Sequence, residues 1–348
     1  MESMTRRIAA AHALLPPSWE AVVDEATATA PVNIALAKYW GKRDEDLHLP
    51  VTDSFSVAVG CGTTTTVRYG AHSDEIEFNG SLLPHISPFY LRIVRFLDLV
   101  RPSPEVRFSL RTVNTVPTAA GLASSSSGFA ALTLALNDFF GWKLEPICLS
   151  CLARLGSGSA CRSVYSGFVR WQKGCRPDGR DSYAFPFHGW WSDLRMAVVM
   201  VSSSEKPISS NEAMRRTVAT SPLYELWPSR VDQDLANITC AIEKKDIVSL
   251  GRAAERNALT MHATMHTSFP PVCYWLEGTL AALKKVWRAR EEGVNLFVTM
   301  DAGPNVKLLF LSEDTSVVGD LFPQAVHLPL VEPSVTGNAV AFTSPWCN

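Results

Sequence analysis

The sequence lacks any apolar run approaching the roughly 20 residues that cross a bilayer, and its longest, residues 129–136, is interrupted by Thr133. No membrane partner is expected. It also lacks an excess of either charge: 32 Lys and Arg stand against 34 Asp and Glu, a formal net charge of −2. The basic doublets Arg6-Arg7, Arg215-Arg216, Lys244-Lys245 and Lys284-Lys285 are short and scattered. Nucleic-acid binding through a broad cationic face is therefore excluded. Eight cysteines in 348 residues do not make a disulfide scaffold. The N-terminus shows no clean apolar core or small-residue cleavage site. The Arg- and Ala-rich stretch 5–15 is short and preceded by Glu2, and Trp346-Cys347-Asn348 matches neither a peroxisomal nor an ER address. A reducing, cytoplasmic setting is expected.

Several catalytic signatures are missing too. No G-x-G-x-x-G follows a strand, which disfavours a dehydrogenase, and no Gly-Lys-Ser/Thr closes a phosphate loop of the Walker form. Cys148-Leu149-Ser150-Cys151 is a lone C-x-x-C without the second pair that tetrahedral zinc needs. His262 and His266 lie four apart without the glutamate of a zinc-protease helix. No protein-built metal site is expected.

What the chain does have is core-forming material, 47% hydrophobic residues against 19% charged, and a length that fits two domains or one large one. Residues 106–111 alternate apolar and polar as a half-buried strand does, and Phe129, Leu132, Leu136 and Phe139 recur on one helical face. Further helices are predicted over 146–155, 228–245, 247–259 and 272–290, and strands over 168–171, 196–201, 296–300 and 306–310. The pattern resets near residue 190, where a domain boundary is placed (1–190 and 191–348). Helices and strands mixed in both halves indicate α/β or α+β.

Four segments carry chemistry. In Pro117-Thr118-Ala119-Ala120-Gly121-Leu122-Ala123-Ser124-Ser125-Ser126-Ser127-Gly128, small residues precede a helix start, where free N–H groups and the dipole favour an anion. A serine-rich N-cap loop reads equally well. In residues 30–44, Lys38 and Lys42 flank Tyr39, Trp40 and Gly41, which suits a pocket for an anion or an ordinary amphipathic stretch. Gly156-Ser157-Gly158-Ser159-Ala160-Cys161-Arg162-Ser163 offers a guanidinium fork that grips carboxylate or phosphate, or a connector with a surface arginine. Asp301, at a strand end before Ala302-Gly303-Pro304-Asn305, faces a cleft or merely starts a turn.

Together, with His262-Ala263-Thr264 and Phe269-Pro270-Pro271, these motifs closely resemble the mevalonate diphosphate decarboxylase family of the GHMP kinase superfamily, over about residues 30–310. The resemblance implies an α+β, two-domain GHMP kinase-like fold with the active site between the domains. It implies ATP- and Mg2+-dependent conversion of mevalonate 5-diphosphate to isopentenyl diphosphate, ADP, phosphate and CO2, a step of isoprenoid and sterol precursor synthesis, in a homodimer. It assigns Asp301 as base or orienting group, Arg162 to the substrate carboxylate, and Lys42 to developing charge. Tyr39, Trp40, Gly41, Lys42, Ser157, Gly158, Ser159, Ala160, Cys161, Ser210 and Asn211 would bind substrate. Gly121, Ala123, Ser124, Ser125 and Ser126 would hold the ATP phosphates, with Mg2+ held through ATP.

Three departures stand out: Asp53 occupies a position usually Asn or Ser, residues 209–214 diverge from the family's Ser-Ser-x-x-Gly-Met, and the family's diphosphate-contacting arginine some nine residues past Asn79-Gly80 has no clear counterpart, Arg92 and Arg95 lying later. A phosphomevalonate decarboxylase, a mevalonate 3-kinase and a catalytically silent ligand sensor share the scaffold; retention of Asp301, Lys42 and Arg162 favours decarboxylation.

Overall fold

The computed structural model describes residues 2–115, 124–204 and 206–333. Its central element is the strand Ser54–Tyr69, buried along most of its length. One edge pairs antiparallel with Glu25–Ala37. The other edge is shared, Phe108–Asn114 pairing with residues 63–69 and Phe168–Trp171 with residues 54–57. Glu75–Phe78 runs parallel beside Phe108–Asn114, and Ser81–Leu82 and Ala184–Pro186 complete a seven-stranded sheet. A second, antiparallel sheet has the order Phe297–Thr299, Val306–Leu311, Leu194–Val199, Val326–Leu328. With helices packed on both sheets, the fold is α+β.

Period-2 alternation explains how one strand serves both a core and a cleft. Val32, Ile34 and Leu36 enter a core shared with Met196, Val198, Phe297 and Leu309 of the second sheet, while Asn33 and Ala35 face the opposite way and line a cleft. The register shifts between Ala35 and Ala37, and such a bulge re-aims the residues that follow it. Lys38 emerges there.

The helix Ser124–Phe139 lies across the two long strands and follows the predicted face, with Phe129, Leu132, Leu136 and Phe139 buried. Pro146–Gly156 also matches its prediction within a residue. Two expectations fail. The helix predicted over 247–259 continues to His266, and in the added turns His262 is buried with its ring nitrogen against Asp301 O. The helix predicted from 272 begins only at Glu277, where Thr279 Oγ1 accepts the Leu276 N–H. Before it the chain is held extended, Val272 N–H bonding Met265 O and Tyr274 Oη bonding Ile208 O. Among the described residues no helix is long and apolar enough to cross a membrane.

Candidate active site

A cleft of about 800 Å3 opens where Lys38–Trp40, the 157–162 turn, the start of the Ser210–Thr220 helix and the 301–302 turn converge. Asp301 follows the Phe297–Thr299 strand and is the cleft's charged centre. Its Oδ1 lies 2.8 Å from Lys38 Nζ and its Oδ2 3.1 Å from Lys307 Nζ. Both lysine side chains are almost fully buried, 2% and 1% exposed, whereas Asp301 keeps 26% of its surface toward the cleft. Burial alone raises the Asp301 carboxyl, but the two ammoniums outweigh it, Lys307 ahead of Lys38, and hold it well below the usual carboxylate range. Burial in turn pushes Lys38 down to about 8, against the pull of Asp301.

The backbone around this triad is fixed from behind. Lys38 N–H donates to Asn257 Oδ1, and Asn257 Nδ2 to Asp234, which also accepts from Arg256. Lys38 Nζ also donates to Ala35 O at 2.7 Å. His262 Nε2 lies 3.1 Å from Asp301 O, so that nitrogen carries the proton; burial and then His266 push the ring down to about 3, and it is neutral.

Arg162 sits on the short 3-10 turn Gly158–Val164 with its side chain buried. Nε donates to Asn33 Oδ1 at 3.1 Å and Nη1 to Ser54 Oγ at 2.6 Å, and the guanidinium lies over Trp171, 5.7 Å from the ring centroid. Asn33 is oriented by donating Nδ2 to Ser163 Oγ and Ser159 O. Among the described residues Arg162 has no carboxylate within ion-pair distance, and burial lowers its pKa. Of its five N–H donors, three remain for a ligand. A buried cation without a counter-ion is costly unless an anion joins it.

Other cleft groups are similarly incomplete. Tyr39 Oη and Trp40 Nε1 are buried without a protein partner, and both residues line the cleft. Tyr39 packs on Trp171 with centroids 4.7 Å apart, and a Cβ on Gly158 would stand 2.8 Å from the Tyr39 ring, which only glycine avoids. Ser209 caps the Ser210–Thr220 helix, so Ser210 and Asn211 bring a helix N-terminus to the cleft. Ser125 Oγ lies 3.4 Å from Ser157 Oγ, joining two of the sequence motifs directly.

The sequence-expected residues thus divide. Tyr39, Trp40, Ser125, Ser157, Gly158, Ser159, Arg162, Ser210, Asn211 and Asp301 line the cleft. Ser126, Ala160 and Cys161 are buried inside the fold and do not line it. Gly41 stands outside it with φ +109° against Tyr224, whose hydroxyl donates to Trp40 O. Lys42 does not reach the cleft lining: its ammonium lies 2.8 Å from Glu45 Oε2 on the same hairpin. The position expected for Lys42, beside the reacting charge, is occupied by Lys38. Gly121 and Ala123 lie outside the described residues, as does the side chain of Ser124. The divergent Asp53 is neutralised by Arg170, 2.7 Å away, and leaves no extra negative charge facing the cleft.

Sequence reasoning missed Lys307, Lys206, Asn33 and His48. Lys307 had a signal, a lysine inside the apolar strand Val306–Leu311, where a buried ammonium demands an acidic partner. Lys206 lines the cleft from the chain after Leu194–Val199 with no ion-pair partner among the described residues.

Comparison with known proteins agrees with this geometry. Residues 30–184 match the model for the diphosphomevalonate decarboxylase-like N-terminal domain, and residues 196–337 that for the mevalonate 5-diphosphate decarboxylase C-terminal domain. The diphosphomevalonate decarboxylase of Aspergillus fumigatus is 39% identical over 85% of this chain and 79% of its own. The chain belongs to the mevalonate diphosphate decarboxylase family. The family's crystal structure from Staphylococcus aureus superposes with a TM-score of 0.84 at 36% identity, covering 89% of this chain and 97% of that one. Another decarboxylase, MDDEF, solved with MVAPP, AMPPCP and magnesium, superposes with a TM-score of 0.82 at 38% identity, covering 90% and 99%.

Proposed function

We propose that the chain catalyses the ATP-dependent decarboxylation of mevalonate 5-diphosphate to isopentenyl diphosphate, releasing ADP, phosphate and CO2. The observation that carries this reading is the buried, carboxylate-free Arg162 in one cleft with an Asp301 clamped by two lysines. A carboxylic-acid substrate completes the first, and its hydroxyl finds an acceptor in the second. Related decarboxylases bind MVAPP, AMPPCP and magnesium, which supports the same ligands here.

The residues present fit a nucleotide triphosphate. Lys206 faces the cleft without an ion-pair partner among the described residues, and the N-terminus of the Ser210–Thr220 helix, whose first-turn Glu212 pairs with Arg215 and Arg216, opens onto it. Among the described residues no group of three His, Cys, Asp or Glu is placed to hold a metal ion; magnesium would be held through nucleotide phosphates, with the Ser125 hydroxyl in the cleft lining a candidate to assist. Magnesium-bound ATP supplies the phosphoryl group that makes the tertiary hydroxyl a leaving group.

Asp301 then orients rather than deprotonates at the outset. Its depressed pKa makes it a weak base, and both its oxygens already accept from ammoniums. It accepts the hydroxyl's hydrogen bond, aims the oxygen, and receives the proton late, once the bond to phosphorus is forming. Arg162 holds the carboxylate. As phosphate leaves, the electrons of the bond to the carboxylate form the new double bond and CO2 departs neutral, so the Arg162 contact weakens during reaction and serves capture more than rate. Lys38 and Lys206 remain beside the charge that gathers on phosphate.

ADP and 14CO2 release, measured together on the mono- and diphosphate of mevalonate, test this reading. ATP-dependent CO2 with ADP in equal amount is expected, fastest on the diphosphate. ADP without CO2 overturns decarboxylation, and equal or faster turnover of the monophosphate overturns the substrate assignment.

A further inference from the structure

The basic doublet Arg6-Arg7 belongs to a helix, Glu2–His12, that precedes the stretch matched by the family's N-terminal model, which begins at residue 30. Met4, Ile8 and Ala11 fall at i, i+4 and i+7 and, with Leu15, pack on the core that holds Leu47, Leu49, Leu152 and Leu155. The chain beyond the helix is pinned as well. Trp19 Nε1 donates to Val100 O at 2.8 Å, its ring meets Trp142 edge-on with centroids 6.1 Å apart, and Val22 N–H donates to Phe139 O at 2.9 Å. The apolar stripe accounts for a cover on the core, but not for where the polar side chains beside it reach.

Ser3 and Arg6, one turn apart, both reach the hairpin formed by Lys42–Asp44 and Leu49–Pro50. Ser3 Oγ donates to Asp46 Oδ1, and Arg6 Nη2 lies 2.6 Å from Asp44 Oδ2 and donates to Pro177 O at 3.1 Å. Arg7, on the adjacent face, donates Nη2 to Leu155 O at 2.6 Å and so helps to close the end of the Pro146–Gly156 helix. The hairpin is a separate two-stranded sheet, three residues against two, and a ribbon of that size is not stable through its own pairing. Its position depends on ties to other elements. Besides those from the helix, His48 Nδ1 lies 2.9 Å from Arg154 O, and Arg43 donates to Arg176 O and Lys173 O.

Each of the two clamped elements is the root of a cleft wall. Tyr39 and Trp40 run directly into the hairpin, and the Pro146–Gly156 helix runs directly into Ser157, Gly158, Ser159 and Arg162. The walls meet where the Tyr39 ring lies on Gly158, so closely that a Cβ there would stand 2.8 Å away. A shift of either root is therefore passed on to that contact, because close-packed groups transmit displacement. Among the described residues none of 2–12 lines the cleft itself. Resting on the proposed substrate, we propose that the Glu2–His12 helix is a positioning part of the substrate site, Arg6 and Arg7 holding the roots of the Tyr39–Trp40 and Ser157–Arg162 walls at the spacing that takes mevalonate 5-diphosphate. Ser125 and Lys206 reach the cleft from other elements, so the nucleotide's end of it does not depend on the clamp.

Hydrogen exchange on the full chain, with and without saturating mevalonate 5-diphosphate, measures the coupling. Coupling between two sites is reciprocal. If docking of the helix favours substrate about tenfold, the worth of one charged hydrogen bond, substrate slows exchange of the 2–12 amides about tenfold although it touches none of them. A helix that only covers the core exchanges at one rate in both states. In steady-state assays Arg6→Gln and Arg7→Met, the second keeping the stem and losing the donors, are each expected to raise KM for the diphosphate about tenfold. kcat and KM for ATP are to change little, and Arg7→Lys is to recover part of the loss. Exchange at 2–12 that is unchanged by a diphosphate protecting 38–40 and 157–162 overturns the clamp and leaves the decarboxylase reading standing. A lowered Tm with KM unchanged, or KM for ATP rising equally, does the same. If the variants do not fold, exchange in the unmodified chain decides alone. If the diphosphate protects no part of the cleft, the substrate reading falls instead, and exchange without ligand decides the clamp: faster exchange at both 42–50 and 156–162 in the two variants supports it, and faster exchange confined to 2–12 overturns it.

Discussion

Lys38→Met isolates the lysine nearest the reacting centre. Methionine keeps most of the stem's volume at a site only 2% exposed and removes the ammonium 2.8 Å from Asp301. The Ala35 carbonyl that loses this donor still accepts from Thr299 Oγ1 at 3.3 Å, and the Lys38 N–H to Asn257 is a backbone bond that the substitution leaves alone. Stranding a buried charge costs about 3–5 kcal/mol. Asp301 is not stranded, since Lys307 remains 3.1 Å away and a quarter of its side chain meets the cleft, so the loss in stability is expected at about 1–2 kcal/mol, offset in part by no longer burying an ammonium. The rate suffers more, because a preorganised donor beside developing charge is worth roughly 10²–10³ in kcat.

The pH profile separates this account from a structural one. Lys38 is charged below about 8, so kcat/KM of the unmodified protein is expected to fall about tenfold per pH unit above that point. Stability moves the other way. Between about 8 and the ordinary 10.5 the unfolded chain binds a proton that the folded chain does not, so this lysine's contribution to stability rises with pH. Lys206 is the rival source of an alkaline limb, its pKa also lowered by burial and by Lys307. In Lys38→Met the limb near 8 should vanish, and in Lys206→Gln it should persist. A limb unchanged in Lys38→Met, no limb below pH 10, or a Tm that falls in step with activity refutes the reasoning.

Arg162→Gln removes the fork but leaves Asp301 and its lysines in place; KM for the substrate is expected to rise about 10²-fold, from loss of a charge-assisted bidentate contact, with kcat falling less than tenfold, and an unchanged KM in steady-state assays contradicts the role given to it. Gly41→Ala sets a Cβ 1.6 Å from Tyr224 Oη at φ +109°, so a loss of about 2 kcal/mol or more is expected in denaturant melts; adding Tyr224→Phe should recover part of it, and a double variant no better than the single would show that backbone strain alone is responsible.

The helices were legible wherever one apolar face repeats, as at Phe129, Leu132, Leu136 and Phe139, because a period of 3.6 is a local property. They were misread where polar residues are buried with distant partners. His262 looks like a helix-ending polar residue until its bond to Asp301 O is seen, and Tyr274 looks helical until its hydroxyl is found on Ile208 O. The motifs around Tyr39, Arg162 and Asp301 were readable as chemistry because small residues and rare charges cluster there. The choice between Lys38 and Lys42 was not. Four residues apart, they would share a face on a helix, but one follows a bulged strand end and the other lies on a hairpin beside Glu45. Arg92 and His48 belong to segments with no local mark of a shared site, since only the tertiary fold brings them to one cleft, and the mark that Lys307 carries, a lysine in an apolar strand, does not say that Asp301 is its partner.

A net charge of −2 describes the surface poorly as a guide to what the cleft binds. The acidic residues are spent elsewhere: Asp53 on Arg170, Asp234 on Arg230 and Arg256, Glu255 on Arg290, Glu45 on Lys42. Among the described residues that leaves Arg162, Arg92 and Lys206 around one opening with Asp301 alone against them, and Asp301 already committed to two lysines. Buried cations without counter-ions destabilise the ligand-free fold, and an anionic ligand reverses that cost by the same interactions that bind it. The excess is local, built from a near-neutral chain by pairing its acids away from the cleft. It selects for small polyanions that enter the opening and gives an extended polyanion no continuous surface to follow.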